Sequence, residues 1–245
     1  MSDLILGRHP VLECLIAERP VNKVLLANNL DKSDTISRIL ALAKKAQTRV
    51  EFVDKKALDR LAEGQNHQGV IAFAAAHEYV EVEDIIAAAK DRSEVPFIVL
   101  LDNLEDPHNL GAILRTADAA GAHGVVITKH RSVSLNTTVA KASSGAIEHV
   151  PVAMVNNLNE CIRQLKEQRI WVFGLDGSGE IELGQADLKL PLAIVVGGEG
   201  QGLSQMVRKN CDFVVKIPMR GKVNSLNASV AAAVMMYEVV RQRRA

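Results

Sequence analysis

The chain has 245 residues and a mass of 26.6 kDa, enough for one large domain or for a small domain beside a medium one. Hydrophobic residues at 48% argue against disorder, and an aromatic content of 3% favours layered helices and parallel strands over an aromatic-rich sandwich. Lys and Arg together number 29, as do Asp and Glu, so the overall field gives no prior for a polyanionic partner.

Residues 1–76 read as a compact α/β unit. Val11–Ala17 has a short apolar helical pattern and Val21–Ala27 is strand-like. Ser33 is placed to cap a helix whose apolar face is Ile36, Ile39, Leu40 and Ala43. Val50–Val53 predicts a strand, Lys55–Ala62 a short helix and Gly69–Ala75 a buried strand. The stretch 77–94 reads as the linker, with acidic residues and a helix at Val82–Ala89. It is not rich in Gly or Ser, so it need not be slack.

Residues 95–245 alternate strand and helix patterns. Strands are predicted at Phe97–Leu101, Gly124–Thr128, Val150–Val155, Ile170–Leu175, Leu192–Val196 and Phe213–Ile217. Helices are predicted at Leu110–Ala120, Leu158–Gln168, Ser204–Asn210 and Leu226–Arg243. Continuous apolar runs such as Leu192–Val196 point to strands covered on both faces, hence to a parallel sheet flanked by helices. In the last helix Leu226, Val230, Ala233, Val234, Tyr237 and Val240 form one apolar stripe. Arg241, Arg243 and Arg244 read as favourable charge at its negative end, with nucleic-acid binding as the alternative.

Cys14, Cys161 and Cys211 lie far apart and form no CxxC pair, so neither a zinc ribbon nor a dithiol centre is indicated. No signal peptide is visible, and the longest nearly apolar stretch, Ala228–Tyr237, is too short to span a bilayer. A cytoplasmic location without membrane attachment is expected. The histidines show no HExxH and no metal-ligand spacing, so no metal is expected. Asn136-Thr137-Thr138 and Asn227-Ala228-Ser229 match the glycosylation pattern, which a cytosolic chain never presents to that machinery.

Three polar clusters stand at predicted strand ends, where open parallel sheets bind ligands. The first runs from Asp102 to Arg115 and contains Asp106-Pro107, a helix start that places Asn109 and Arg115 on the polar side; taken alone it reads first as a capped helix with a solvated Arg. The second is Gly197-Gly198-Glu199-Gly200-Gln201-Gly202. Glu199 occupies the second glycine that a dinucleotide fingerprint requires, and no G-x-x-x-x-G-K-[ST] exists, so nucleotide-binding oxidoreductases and triphosphate binders lose their support. A tight strand-to-helix turn is the plain alternative. The third runs from Ile217 through Pro218, Met219, Arg220, Gly221, Lys222, Val223, Asn224, Ser225, Leu226, Asn227 and Ser229 to Ala231, a loop leading into the electropositive start of the last helix. Asn224 or Ser225 is a natural cap there, whereas Asn227 and Ser229 inside the helix cost propensity. His108 and the turn Asn66-His67-Gln68-Gly69 are further polar contacts or simply turn residues.

In this order and at these separations the three clusters resemble the motifs of the SpoU (TrmH) family of RNA ribose 2′-O-methyltransferases, of the SPOUT superfamily. The likeness covers roughly residues 95–245 and is nearest to the bacterial branch acting on a guanosine of 23S rRNA. Residues 1–76 resemble the small α/β RNA-binding domain that several members carry in front. The resemblance implies an α/β fold with a SPOUT-type parallel sheet, a C-terminal trefoil knot from about residue 192 onward, S-adenosylmethionine as cofactor, and a homodimer packed through the last helix. It implies that Arg115 activates the ribose hydroxyl, that Asn109 and Glu199 hold Arg115 and the ribose, and that Ser225 and Asn227 shape the pocket and contact the target nucleotide. Gly197, Gly198, Ile217, Pro218, Met219 and Leu226 would hold the cofactor, and Arg8, His67, His108, Arg220 and Lys222 the RNA. Ribosomal RNA is the expected partner, with tRNA as the nearest rival and a catalytically silent RNA-binding assembly factor as the alternative from another class.

Overall fold

The computed structural model describes residues 2–31, 33–200 and 202–244. The first elements are β1 (Ser2–Leu6), α1 (Arg8–Ile16), β2 (Val21–Ala27), α2 (Asp34–Lys45), β3 (Arg49–Val53), α3 (Lys55–Leu61) and β4 (Val70–Ala75). Next come α4 (Val82–Asp91), β5 (Phe97–Asp102), α5 (Pro107–Ala120), β6 (Gly124–Thr128), α6 (Thr137–Ala142), β7 (Val152–Val155) and α7 (Leu158–Glu167). The last are β8 (Trp171–Leu175), β9 (Ile181–Glu182), β10 (Leu192–Gly197), α8 (Gln205–Asn210), β11 (Phe213–Lys216) and α9 (Ala228–Arg244). Two units result, Met1–Glu78 with Leu135–His149, and Tyr79–Ser134 with Val150–Ala245. No helix among the described residues is long and apolar enough to cross a membrane.

In the first unit four strands lie in the order β1-β4-β2-β3, and only the β2–β3 pair is parallel. Alternation along these strands gives the sheet two apolar faces. Ile5, Val24, Leu26, Val70 and Ala72 pack against Val11, Leu15, Ile36 and Ile39 of α1 and α2. Leu6, Leu25 and Ile71 pack on the other side against Leu58 and Ala62. Ser33 caps α2 as its position suggested, accepting from the Ile36 amide at 3.3 Å. Sequence patterning did not anticipate β1 or α6. Both are short, and their order comes from partners distant in the chain: β1 pairs with β4, and Arg19 ties Asp3 of β1 to Glu148, which follows α6. Asn136, which matched a glycosylation pattern, is the cap of α6, its side chain accepting from the Val139 amide at 3.0 Å.

The second unit holds seven strands, all parallel, in the order β7-β6-β5-β10-β8-β11-β9. Every residue of β5, β6 and β10 is buried, as continuous apolar runs require when helices cover both faces. The expected linker 77–94 contributes more than a connection: Val82, Ile85 and Ile86 of α4 join Ile98, Leu100, Ile162, Leu165 and Val195 in the core. On α5, Asp106 accepts from the His108 amide at 2.9 Å, Pro107 takes the first turn, and Gly121 ends the helix at φ 70°.

Helix α9 departs from expectation in which face it buries. Ala228, Ala232, Met235, Met236 and Val239 face the core, while Leu226, Val230, Val234 and Tyr237 of the expected stripe are 38–52% exposed. The helix is apolar on two sides, and the small and flexible residues fit against the sheet and α5. Nor is Arg243 a solvated end charge. It donates to the carbonyls of Val95 (2.7 Å), Pro96 (2.9 Å), Leu190 (2.8 Å) and Leu188 (3.4 Å), and its guanidinium lies 5.5 Å from the Phe97 ring centroid. Arg243→Ala leaves the Leu188 and Leu190 carbonyls without this donor and is expected to cost roughly 2–4 kcal/mol. Thermal melting should fall by about 5–10 °C, with Arg243→Lys recovering little because an ammonium cannot span the fork.

Candidate active site

The carboxyl ends of β8, β10 and β11 and the start of α9 converge on one cavity of about 510 Å³. Its wall is made from three loops: Leu175–Gly177 after β8, the glycine turn after β10, and the 217–228 segment between β11 and α9. The glycines permit an approach that no other residue allows. A Cβ on Gly197 would lie 2.1 Å from the Gly202 carbonyl oxygen, and Gly202 itself turns at φ 63°. The turn is anchored from beneath by Asp102, whose carbonyl accepts from the Gly198 amide at 2.8 Å and whose carboxylate accepts from the Ser204 amide at 2.7 Å.

One polar cluster stands on the rim. Asn109, buried on the first turn of α5, donates from Nδ2 to Glu199 Oε1 at 2.7 Å. Asn227 Nδ2 donates to the same oxygen at 2.8 Å and to Asn109 Oδ1 at 3.0 Å. Asn227 is not inside the helix as expected. It precedes α9, and its Oδ1 accepts from the Ser229 amide (3.0 Å), the Ser229 hydroxyl (2.6 Å) and the Val230 amide (3.3 Å). One side chain therefore caps the helix and fixes the carboxylate, which removes the propensity objection. The three clusters, 90 and 28 residues apart at these bonds, meet in space.

The other predicted residues divide plainly. Gly197, Gly198, Ile217, Met219, Ser225 and Leu226 line the cavity, whereas Pro218 falls between lining residues without lining it. Arg115 is on the exposed side of α5, six residues beyond Asn109, and does not line the cavity. His108 is exposed at the start of α5, and Arg220 and Lys222 are exposed on the loop before α9. Gln201 lies outside the described residues. Arg8 and His67 belong to the first unit. Arg8 donates from Nε to the Gln68 carbonyl at 3.2 Å. His67 is buried, its Nε2 2.9 Å from Asp59 and its Nδ1 accepting from the Gly69 amide at 3.0 Å, so it shapes its loop.

Asp176 and Gly177 also line the cavity and were not anticipated, whereas Ala231, also on the wall, closes the third cluster. Asp176-Gly177 directly follows a predicted strand, so the strand-end rule pointed there, but no familiar motif marks it. The three cysteines carry no chemistry here. Burial pushes each thiol up to about 12, so all stay protonated at neutral pH.

Comparison with known proteins agrees with this geometry. The model of the SpoU rRNA methylase family matches residues 96–237, and a model described as RNA 2′-O ribose methyltransferase substrate binding matches residues 4–80. YacO of Bacillus subtilis, assigned by name to the TrmH family of tRNA/rRNA methyltransferases, is 50% identical over 241 residues, 98% of this chain and 96% of its own. The SpoU methyltransferase AviRb of Streptomyces viridochromogenes, solved in complex with the cofactor AdoMet, superposes with a TM-score of 0.84 at 27% identity, covering 100% of this chain and 91% of its own. A solved RNA 2′-O ribose methyltransferase gives 0.82 at 28% identity, covering 100% and 90%.

Proposed function

Because the chain belongs to the SpoU methylase family, we propose that it methylates a ribose 2′-hydroxyl of structured RNA with S-adenosylmethionine as donor, a guanosine of 23S rRNA being the foremost target. The observation that carries this reading is the Asn109–Glu199–Asn227 cluster bonded together on the rim of a glycine-walled cavity. The lining fits the cofactor: Leu175, Val196, Ile217 and Leu226 offer apolar surface to an adenosine, and the glycine turn brings backbone groups within reach of its polar edges. When bound, S-adenosylmethionine supplies an activated sulfonium methyl group, so the transfer needs no metal.

The remaining work falls to the chain. Alignment of the ribose oxygen contributes about 7–11 kcal/mol in favourable cases. Glu199, fixed by two amide donors, and Asn227 are assigned to ribose positioning, with Ser225 beside them. Arg115 is assigned to activation of the hydroxyl. A guanidinium holds its proton too firmly to act as a free base, and an anionic RNA phosphate beside it stabilises the charged form further, which favours an electrostatic role. An exposed Arg115 and the exposed face of α9 at Val230, Val234 and Tyr237, with Leu226 just before it, both suit a homodimer in which the partner chain completes the site. A trefoil-knotted path from about residue 192 onward belongs to the same reading. In this reading residues 1–76 bind the RNA substrate, with Arg8 in reach of its backbone, while Arg220, Lys222 and His108 meet RNA beside the cavity. The protein acts in the cytoplasm, where its RNA is made.

Labelled S-adenosylmethionine, incubated with the protein and either rRNA or tRNA, tests this directly. Label should enter rRNA at one position that resists alkaline cleavage, because methylation removes the 2′-hydroxyl that cleavage requires. Label confined to tRNA would redirect the target, and RNA binding without transfer would indicate a silent assembly factor.

A further inference from the structure

The cavity lining includes two ionisable side chains, Asp176 and Glu199, and both are acids. Glu199 is engaged by Asn109 and Asn227. Asp176 belongs to none of the three motif clusters. It follows β8, and its Oδ1 accepts from the Ser178 amide at 2.9 Å and from the Ser178 hydroxyl, while Oδ2 accepts from the Leu203 amide at 3.3 Å. Burial pushes its carboxyl up, but the bonds from Ser178 and Leu203 and the nearby Arg208 charge more than offset this and leave it below the usual range. Arg208 donates to the Ser178 carbonyl at 3.3 Å and does not line the cavity. The wall therefore presents fixed negative charge and no lining cation.

We infer that Asp176 makes the cavity select a cationic ligand, so that S-adenosylmethionine, with a net charge of plus one, is held in preference to net-neutral S-adenosylhomocysteine. The inference rests on the cofactor reading above. A ligand charge about 10 Å from the carboxylate sets the scale of the effect. At an effective dielectric of about 20–40, one such pair changes a dissociation constant by about fourfold to fifteenfold. The advantage disappears when the methyl group leaves, because the sulfonium becomes a neutral thioether. Asp176 thus favours loading of donor and exchange of product at the same cavity.

Calorimetric titration of the full chain with S-adenosylmethionine, S-adenosylhomocysteine and sinefungin, whose amine replaces the sulfonium with a cation, tests the assignment. Asp176→Asn should weaken both cationic ligands by about fourfold to fifteenfold and leave S-adenosylhomocysteine within about twofold, which also reports an intact cavity. Asp176→Glu, which keeps the charge, should restore the preference. Equal loss of charged and neutral ligands in both variants, or an unchanged ratio in Asp176→Asn, would assign the residue to loop structure and overturn the inference alone. A wild-type chain that binds none of the three would overturn the cofactor reading and this inference with it.

Discussion

Arg115→Ala is expected to lower the methyl-transfer rate by about a thousandfold while leaving the protein folded and the donor bound. The separation of effects follows from where the side chain stands. Arg115 projects from the exposed side of α5, away from the buried positions Leu110, Ile113, Leu114 and Ala117, so truncation removes no core volume. Surface changes of this kind shift stability by about 0.5 kcal/mol or less. It does not line the cavity either, so donor affinity should stay within about twofold. In the proposed role its loss takes away a positive charge that acts on a hydroxyl which must lose its proton, and such groups contribute about a hundredfold to ten-thousandfold. Arg115→Lys divides the two roles left open for this residue. If the charge is what matters, lysine should recover a substantial part of the rate. If a planar fork must orient the ribose or a phosphate, lysine should stay near the alanine level. Single-turnover transfer to RNA, with circular dichroism and donor titration alongside, reads all of this. Turnover near wild type in Arg115→Ala would remove the residue from the reaction.

The residues that proved easiest to anticipate from sequence are those whose signal is local and chemical. Glu199 inside a run of glycines and Asn227, read as lying within a helix, each broke a local rule, Asn109 entered through the motif resemblance, and all three meet on the cavity rim. Strands β5, β6 and β10 were legible because a strand buried on both faces is apolar almost throughout. What stayed hidden depends on non-local partners. Nothing in Ser2–Leu6 announces β4 as its neighbour, and nothing in Arg243 announces four carbonyls drawn from 95–96 and 188–190. The two apolar sides of α9 differ by side-chain volume rather than hydropathy, so periodicity selected Val230, Val234 and Tyr237, although packing against the sheet favours Ala232, Met235 and Met236. Asp176 escaped for a different reason: an Asp-Gly after a strand is also what an ordinary turn looks like.

Gly197→Ala should abolish donor binding, weakening it by about a hundredfold or more, and lower the melting temperature by roughly 6–12 °C, although it adds one methyl group. Gly197 closes β10, beside Asp102 of β5 in register, and is fully surrounded. The added carbon would sit 2.1 Å from the Gly202 carbonyl oxygen, 2.2 Å from its carbon and 2.7 Å from the Leu203 nitrogen. All three are backbone atoms, so no rotamer change relieves the clash and the turn itself must move. That turn is held on both sides, by Asp102 through Gly198 and Ser204 and by Asp176 through Leu203, so the movement breaks hydrogen bonds as well as contacts. Overpacking of this severity costs about 3 kcal/mol, which in a chain of this length corresponds to the stated loss of melting temperature. Binding should suffer more than stability, because Glu199 rides on the turn and its bonds to Asn109 and Asn227 define the rim. Gly184→Ala is the control: no atom lies within 4 Å of its added carbon, and it should melt within about 1 °C of wild type. If Gly197→Ala binds S-adenosylmethionine within threefold of the parent, the close approach of these two glycines is not what shapes the cavity.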